Sequence, residues 1–183
     1  MIVVVGGPPG SGKTTAAELY ARTHDAVLVS GGRLFREMAA ERGMTLESFS
    51  AHAETHHEVD RELDEMVLAA VRDLAFRGRD VVVEGRIQAH LLARAAIRAF
   101  SVLVTAPIGI RAKRIADREG KSEKQALEEI LARERSEQTR YRDIYGIDVT
   151  DPSVYALTVD SAEQSPEAIV KRIREEAMAW ASR

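Results

Sequence analysis

The sequence predicts a three-layer α/β fold: a parallel sheet of five strands with helices packed on both faces. Three observations carry that expectation. Short apolar, β-rich runs recur at Ile2–Val5, Ala26–Val29, Val81–Val83, Phe100–Thr105 and Tyr155–Val159. Stretches of helical periodicity separate them, which is the pattern of βα repeats. The first run leads directly into Gly-Pro-Pro-Gly-Ser-Gly-Lys-Thr at 7–14, a complete G-x-x-x-x-G-K-[ST] phosphate-binding loop.

Each element has its own reason. Ile2 to Val5 are β-branched and suit a central strand. The glycines that follow (Gly7, Gly10, Gly12) let backbone N–H groups turn toward phosphate oxygens, in a loop completed by Pro8, Pro9 and Ser11. Lys13 can then reach the β- and γ-phosphates, and Thr14 offers a hydroxyl to Mg²⁺. Thr15, Ala16, Ala17, Leu19 and Tyr20 continue as a helix whose positive end faces the anion. Strand, loop and helix in this order predict a P-loop NTPase-type fold. The second strand ends at Ser30-Gly31-Gly32, where the chain can approach a ligand closely, and an arginine one turn into the next helix can hold an acceptor phosphate. Val59, Leu63, Met66, Val67, Ala70, Val71 and Leu74 mark one long amphipathic helix.

The third strand closes on Glu84-Gly85-Arg86. Ligands bind at the carboxyl ends of strands in open α/β sheets. A carboxylate at 84 can therefore hold the water shell of Mg²⁺, Gly85 permits a turn, and Arg86 faces the phosphates. Beyond the fourth strand, 111–148 is dense in arginine, with a break at Glu119–Gly120 between two helices. Such a hairpin can close over phosphates, exclude water and supply cations, or it can be a solvated surface held by i,i+4 ion pairs. Arg111 and Arg135 fit the solvated reading, and Arg133 is spaced to pair with Glu137. The last helix turns Ile169, Ile173, Ala177 and Trp180 to one side as core residues.

Composition narrows the function. A net charge of −3 lacks the basic field of a general nucleic-acid binder, and the absence of cysteine removes disulfide and thiolate chemistry. No run is long enough to span a membrane as a helix. The N-terminal apolar run opens the phosphate loop and is not read as a signal peptide, so a cytoplasmic setting and a monomer are expected. His52, His56 and His57 read as surface histidines, without an H-E-x-x-H pattern.

Taken together, the loop, Gly-Arg-Leu-Phe-Arg-Glu-Met at 32–38, Val-Val-Glu-Gly-Arg at 82–86, Arg-Ile-Ala-Asp-Arg-Glu-Gly-Lys-Ser at 114–122 and Arg-Tyr-Arg-Asp-Ile-Tyr-Gly-Ile-Asp at 140–148 resemble the short archaeal-type cytidylate kinases. The likeness runs in the same order over nearly the whole chain. It implies phosphoryl transfer from ATP to CMP or dCMP. It further implies a single domain with a core of 1–30, 78–108 and 149–183, a helical monophosphate-binding insertion at about 31–77 and a helical lid at about 109–148. By the same resemblance, Arg36 and Arg86, with Gly85, hold the CMP phosphate, and Arg114 borders ATP. Lys13, Arg118, Arg133 and Arg140 act on the transferring group, and residues 160–166 lie near adenine. Two positions depart from the family pattern: Arg33 replaces an acidic residue, and Ala156 stands where Asp is common. Alternatives are another small-molecule P-loop kinase, with UMP, AMP or shikimate as acceptor, and a nucleotide-dependent switch module.

Overall fold

In the computed structural model, which describes residues 1–183, five parallel strands form one sheet. They are β1 (Ile2–Gly6), β2 (Val27–Ser30), β3 (Val81–Gly85), β4 (Phe100–Thr105) and β5 (Leu157–Asp160), in the spatial order β2-β3-β1-β4-β5. The pleat sends Val3 and Val5 to one face and Val4 to the other. On the first face they pack with Ala16, Ala17 and Tyr20 of α1 (Lys13–Thr23) and with Ile169, Val170, Ile173 and Ala177 of α8 (Pro166–Ala181). On the second, Val4, Val81 and Val83 meet Val67 and Val71 of α4 (Glu58–Phe76) and Ala89 and Leu92 of α5 (Gln88–Arg94). Burial on both faces is why these strands are continuous apolar runs.

Two helical excursions leave the carboxyl edge of the sheet. Between β2 and β3 run α2 (Gly31–Glu41), α3 (Leu46–Thr55) and α4, closed on a satellite core of Met38, Phe49, Ala53, Val59 and Leu63. Between β4 and β5 run α6 (Ile108–Glu119) and α7 (Glu123–Tyr145), which share Ala112, Ile115, Ala116, Ala126 and Ile130. The break between them falls at Gly120, which caps α6 with φ 65°. Ser122 and Gln125 then start α7 with a reciprocal capping box.

The expected strand 155–159 begins two residues later. Asp151 caps a 3₁₀ turn at Pro152–Val154, and the Tyr155 N–H closes it on the Pro152 carbonyl at 2.9 Å, so it is not available to the sheet. The long helix is present, but Met66 is 40% exposed and lies off its apolar stripe.

Candidate active site

The register of the sheet assembles the site. β1 pairs with β3 so that Val5 lies opposite Glu84, and β2 places Ser30 opposite the same residue. Three strand ends therefore converge on one carboxylate, itself 4% exposed. Glu84 Oε2 accepts from Ser30 Oγ at 2.7 Å, and Oε1 accepts from Thr14 Oγ1 at 3.3 Å. Lys13 Nζ stands 3.6 Å from that Oε1 and donates to the Pro8 carbonyl at 3.5 Å. Gly12, at φ 86°, precedes α1 in a left-handed conformation that an L side chain rarely adopts. Thr15 continues into the first turn of α1 and is exposed.

Arg86 crosses the mouth of this loop. Its Nη1 donates to the Gly7 carbonyl and its Nε lies 2.8 Å from Glu137 Oε2. Gly85 ends β3 just before it, and a Cβ there would displace the end of the Gln88 side chain, whose Oε1 would stand 2.0 Å away. Glu137 comes from α7 and also accepts from Arg133 Nε at 2.9 Å. The result is a compact cluster of three cations, Lys13, Arg86 and Arg133, around two carboxylates.

Proton affinities reflect this packing. Burial, with help from Arg86 and Arg133, brings Lys13 down to about 7 against the opposing pull of Glu84 and Glu137. Burial also works to raise Glu137, but Arg86 and Arg133 prevail and hold it below the ordinary carboxylate range.

A turn further along α7, Arg140 Nε lies 3.3 Å from Asp60 Oδ2, and Tyr145 donates to Asp64 Oδ2 at 2.5 Å. Asp60 and Asp64, both on α4, are 2% and 6% exposed. Burial pushes both carboxyls up, Asp64 to about 7.

On the opposite side, Arg114 closes the phosphate loop against the turn after β5. It donates to Ser161 Oγ at 2.8 Å and to the Ser161 carbonyl at 2.6 Å, with the Gly10 carbonyl at 3.5 Å. Ser161 Oγ donates in turn to the Ser11 carbonyl at 2.7 Å. The Ser11 hydroxyl is buried without a partner, inside a loop built to face anions.

The arrangement can clamp a polyphosphate between backbone N–H groups and convergent cations, with α6 and α7 laid across the opening. The sequence matches the cytidylate kinase-like family over residues 2–163. The chain belongs to this family. Its relatives include a cytidylate kinase of Haloquadratum walsbyi, 43% identical over 180 residues that cover 98% of this chain and 90% of the relative. Another, from Methanocaldococcus jannaschii, is 39% identical over 170 residues, covering 92% and 93%. Among solved structures, an uncharacterized protein from Eubacterium ventriosum superposes with a TM-score of 0.72 at 18% identity, covering 97% of this chain and 98% of that one. Shikimate kinase from Acinetobacter baumannii, in complex with shikimate, gives 0.58 at 18% identity, with 97% and 92% covered. At such identity the likeness is one of fold.

Within this cytidylate kinase-like chain, the expected residues are not all together. Gly7 to Thr14, Glu84, Gly85, Arg86, Arg114 and Arg133 surround the loop. Arg36 is exposed on α2; its Nη1 would lie 3.7 Å from a Cβ placed on Gly32, and Glu84 Oε2 3.9 Å from the same point. Arg140 faces Asp60 in a neighbouring pocket. Arg118 is apart: one turn beyond Arg114, at the end of α6, its side chain is 67% exposed and pairs with Glu119. Arg111, expected among the solvated ion pairs, is instead buried. It donates to the Ala106 and Pro9 carbonyls at 3.0 and 3.2 Å and to Glu134 Oε1 at 2.6 Å, tying α6 to the phosphate loop. Glu137 was read only as a partner of Arg133, and Ser161 only as part of the 160–166 segment; their contacts with Arg86 and Arg114 were missed. The only sequence signal for Glu137 was its i,i+4 spacing from Arg133, which also describes a surface pair.

Proposed function

We infer that the protein is an ATP-dependent nucleoside monophosphate kinase that transfers a phosphoryl group to CMP. Family membership supports the reaction. The observation that carries it to this site is the meeting of Lys13, Arg86 and Arg133 at the mouth of a phosphate loop, because transfer between nucleotides brings two phosphate chains to one point. The loop N–H groups and Lys13 hold the triphosphate of ATP, with Arg114 steadying the loop beside it. Arg86 and Arg36 hold the acceptor phosphate. Arg133, and Arg140 once drawn from Asp60, neutralise charge that grows on the transferring group; Arg118 joins them only if α6 turns inward. The α2–α4 excursion serves as the acceptor-binding insertion and α6–α7 as the lid. Thr14 and Glu84 place a hydroxyl and a carboxylate side by side, a hard-oxygen pair suited to Mg²⁺ with retained waters. Held there, such an ion would supply charge neutralisation on the phosphates. No covalent intermediate is needed, since positioning and electrostatics carry phosphoryl transfer.

A coupled assay of ADP release across CMP, dCMP, UMP, AMP and shikimate tests this reading. CMP and dCMP are expected to give the highest kcat/KM. A higher value for any of the other three would reassign the acceptor.

A further inference from the structure

Glu137 is 8% exposed, and its carboxylate bridges guanidinium groups from two elements, Arg86 after β3 and Arg133 on α7. A plain structural ion pair would satisfy its partners. This one does not. Arg86 Nε lies 2.8 Å from Glu137 Oε2, yet the N–H is not aligned for a hydrogen bond, and Nε and Nη2 are both buried without a hydrogen-bond partner. Two buried donors left in this way are costly. A carboxylate has two oxygens in one plane; a phosphate monoester presents three, tetrahedrally arranged, and can engage the rest of the Arg86 fork. The charge count points the same way. Lys13, Arg86 and Arg133 face only Glu84 and Glu137, so the cluster carries one net positive charge while Lys13 is protonated and is balanced when it is not.

We propose that Glu137 is a positioning residue that holds Arg86 and Arg133 in the placement phosphate oxygens require and competes with phosphate for both. The inference rests on the reading of this site as a phosphoryl-transfer centre. Glu137 keeps two like charges close together on separate elements, which would otherwise repel. It also tempers the grip of the cluster, so that a product phosphate meets a carboxylate ready to reclaim the arginines. Removing its charge should therefore tighten anion binding while slowing turnover, a split that simple loss of packing would not produce.

The test uses the full chain with Glu137→Gln, which preserves shape. Binding of inorganic phosphate is measured by calorimetry and by the rise in melting temperature it produces. Phosphate should bind the variant about tenfold tighter than the wild type and raise its melting temperature more. In steady state, KM for CMP and kcat should both fall. Phosphate binding equal to wild type, or a KM that rises with kcat unchanged, would overturn the proposal. Should E137Q not fold, Glu137→Asp decides by the same phosphate measurement. It is one methylene shorter, so it loosens both contacts and with them the competition for the arginines; tighter phosphate binding than wild type supports the proposal and equal binding overturns it. The phosphate arm involves no acceptor. A wild type inactive toward CMP would therefore sink the acceptor assignment and leave phosphate binding to decide the role of Glu137.

Discussion

Lys13 lies close to Glu84 and Arg86, in a setting that lowers its proton affinity to about 7. The arrival of a polyphosphate brings negative charge onto this ammonium and raises that affinity again, so the bound state holds more protons than the free state above pH 7. Linkage then fixes the sign: affinity for ATP falls as pH rises past about 7, by at most tenfold per pH unit. Calorimetric titration between pH 6.5 and 9 checks this, and a flat profile would mean that ATP binding leaves the protonation of Lys13 unchanged. Under the proposed acceptor role of Arg86, Arg86→Ala should raise KM for CMP and lower kcat while leaving the ATP Kd nearly intact. Asp64 makes a different prediction. Burial, reinforced by Asp60 and opposed by Tyr145 and Arg140, raises its carboxyl from 3.8 to about 7. The folded protein binds the extra proton, so this group's contribution to stability declines as pH rises from about 4 to 7. Asp64→Asn removes the decline: its melting temperature should exceed that of wild type at pH 8, and the advantage should vanish near pH 4.5.

Helix α7 carries two arginines whose roles separate by environment. The Arg133 side chain is 59% exposed, whereas Arg140 and its partner Asp60 are 8% and 2% exposed. If Arg133 acts on the transferring group as proposed, Arg133→Ala should lower kcat by roughly a hundredfold, and its exposure predicts little change in melting temperature. Arg140→Ala strands a buried carboxylate and should cost about 3 kcal/mol of stability in urea unfolding as well as activity. The same helix shows what sequence patterns can and cannot convey. The break before it was legible at Glu119–Gly120, because a glycine cap acts over a few residues; the Ser122–Gln125 capping box that starts it emerged only from the structure. The strands were legible for a related reason, since alternate valines bury on both faces of the sheet. Glu137 and Arg111 were not legible. Spacing within a helix names only i,i+4 neighbours, while their deciding partners, Arg86 and the Pro9 carbonyl, come from other strands and loops. Tyr155 was misplaced for a local reason: the 3₁₀ turn before it takes the N–H that a strand would need.

At the scale of the molecule, two contacts fix the geometry of the opening. Arg114 and Arg111 tie α6 to the phosphate loop, and Tyr141 and Ile147 at the far end of α7 pack with Ile87 and Leu91 beside β3. Tyr141→Ala should loosen the second attachment. Faster amide exchange along α7 by mass spectrometry and a higher KM for CMP are the expected readouts; unchanged exchange would show that the anchor lies elsewhere. This anchoring also makes α7 a lever with its fulcrum near Tyr141. Arg140 is adjacent to the fulcrum, whereas Arg133 lies about 10 Å farther along the axis at 1.5 Å per residue. A rotation about that end would sweep Arg133 through an arc only by releasing the Arg111–Glu134 pair beside it, whereas Arg140, near the fulcrum, leaves Asp60 by a change of its own side chain.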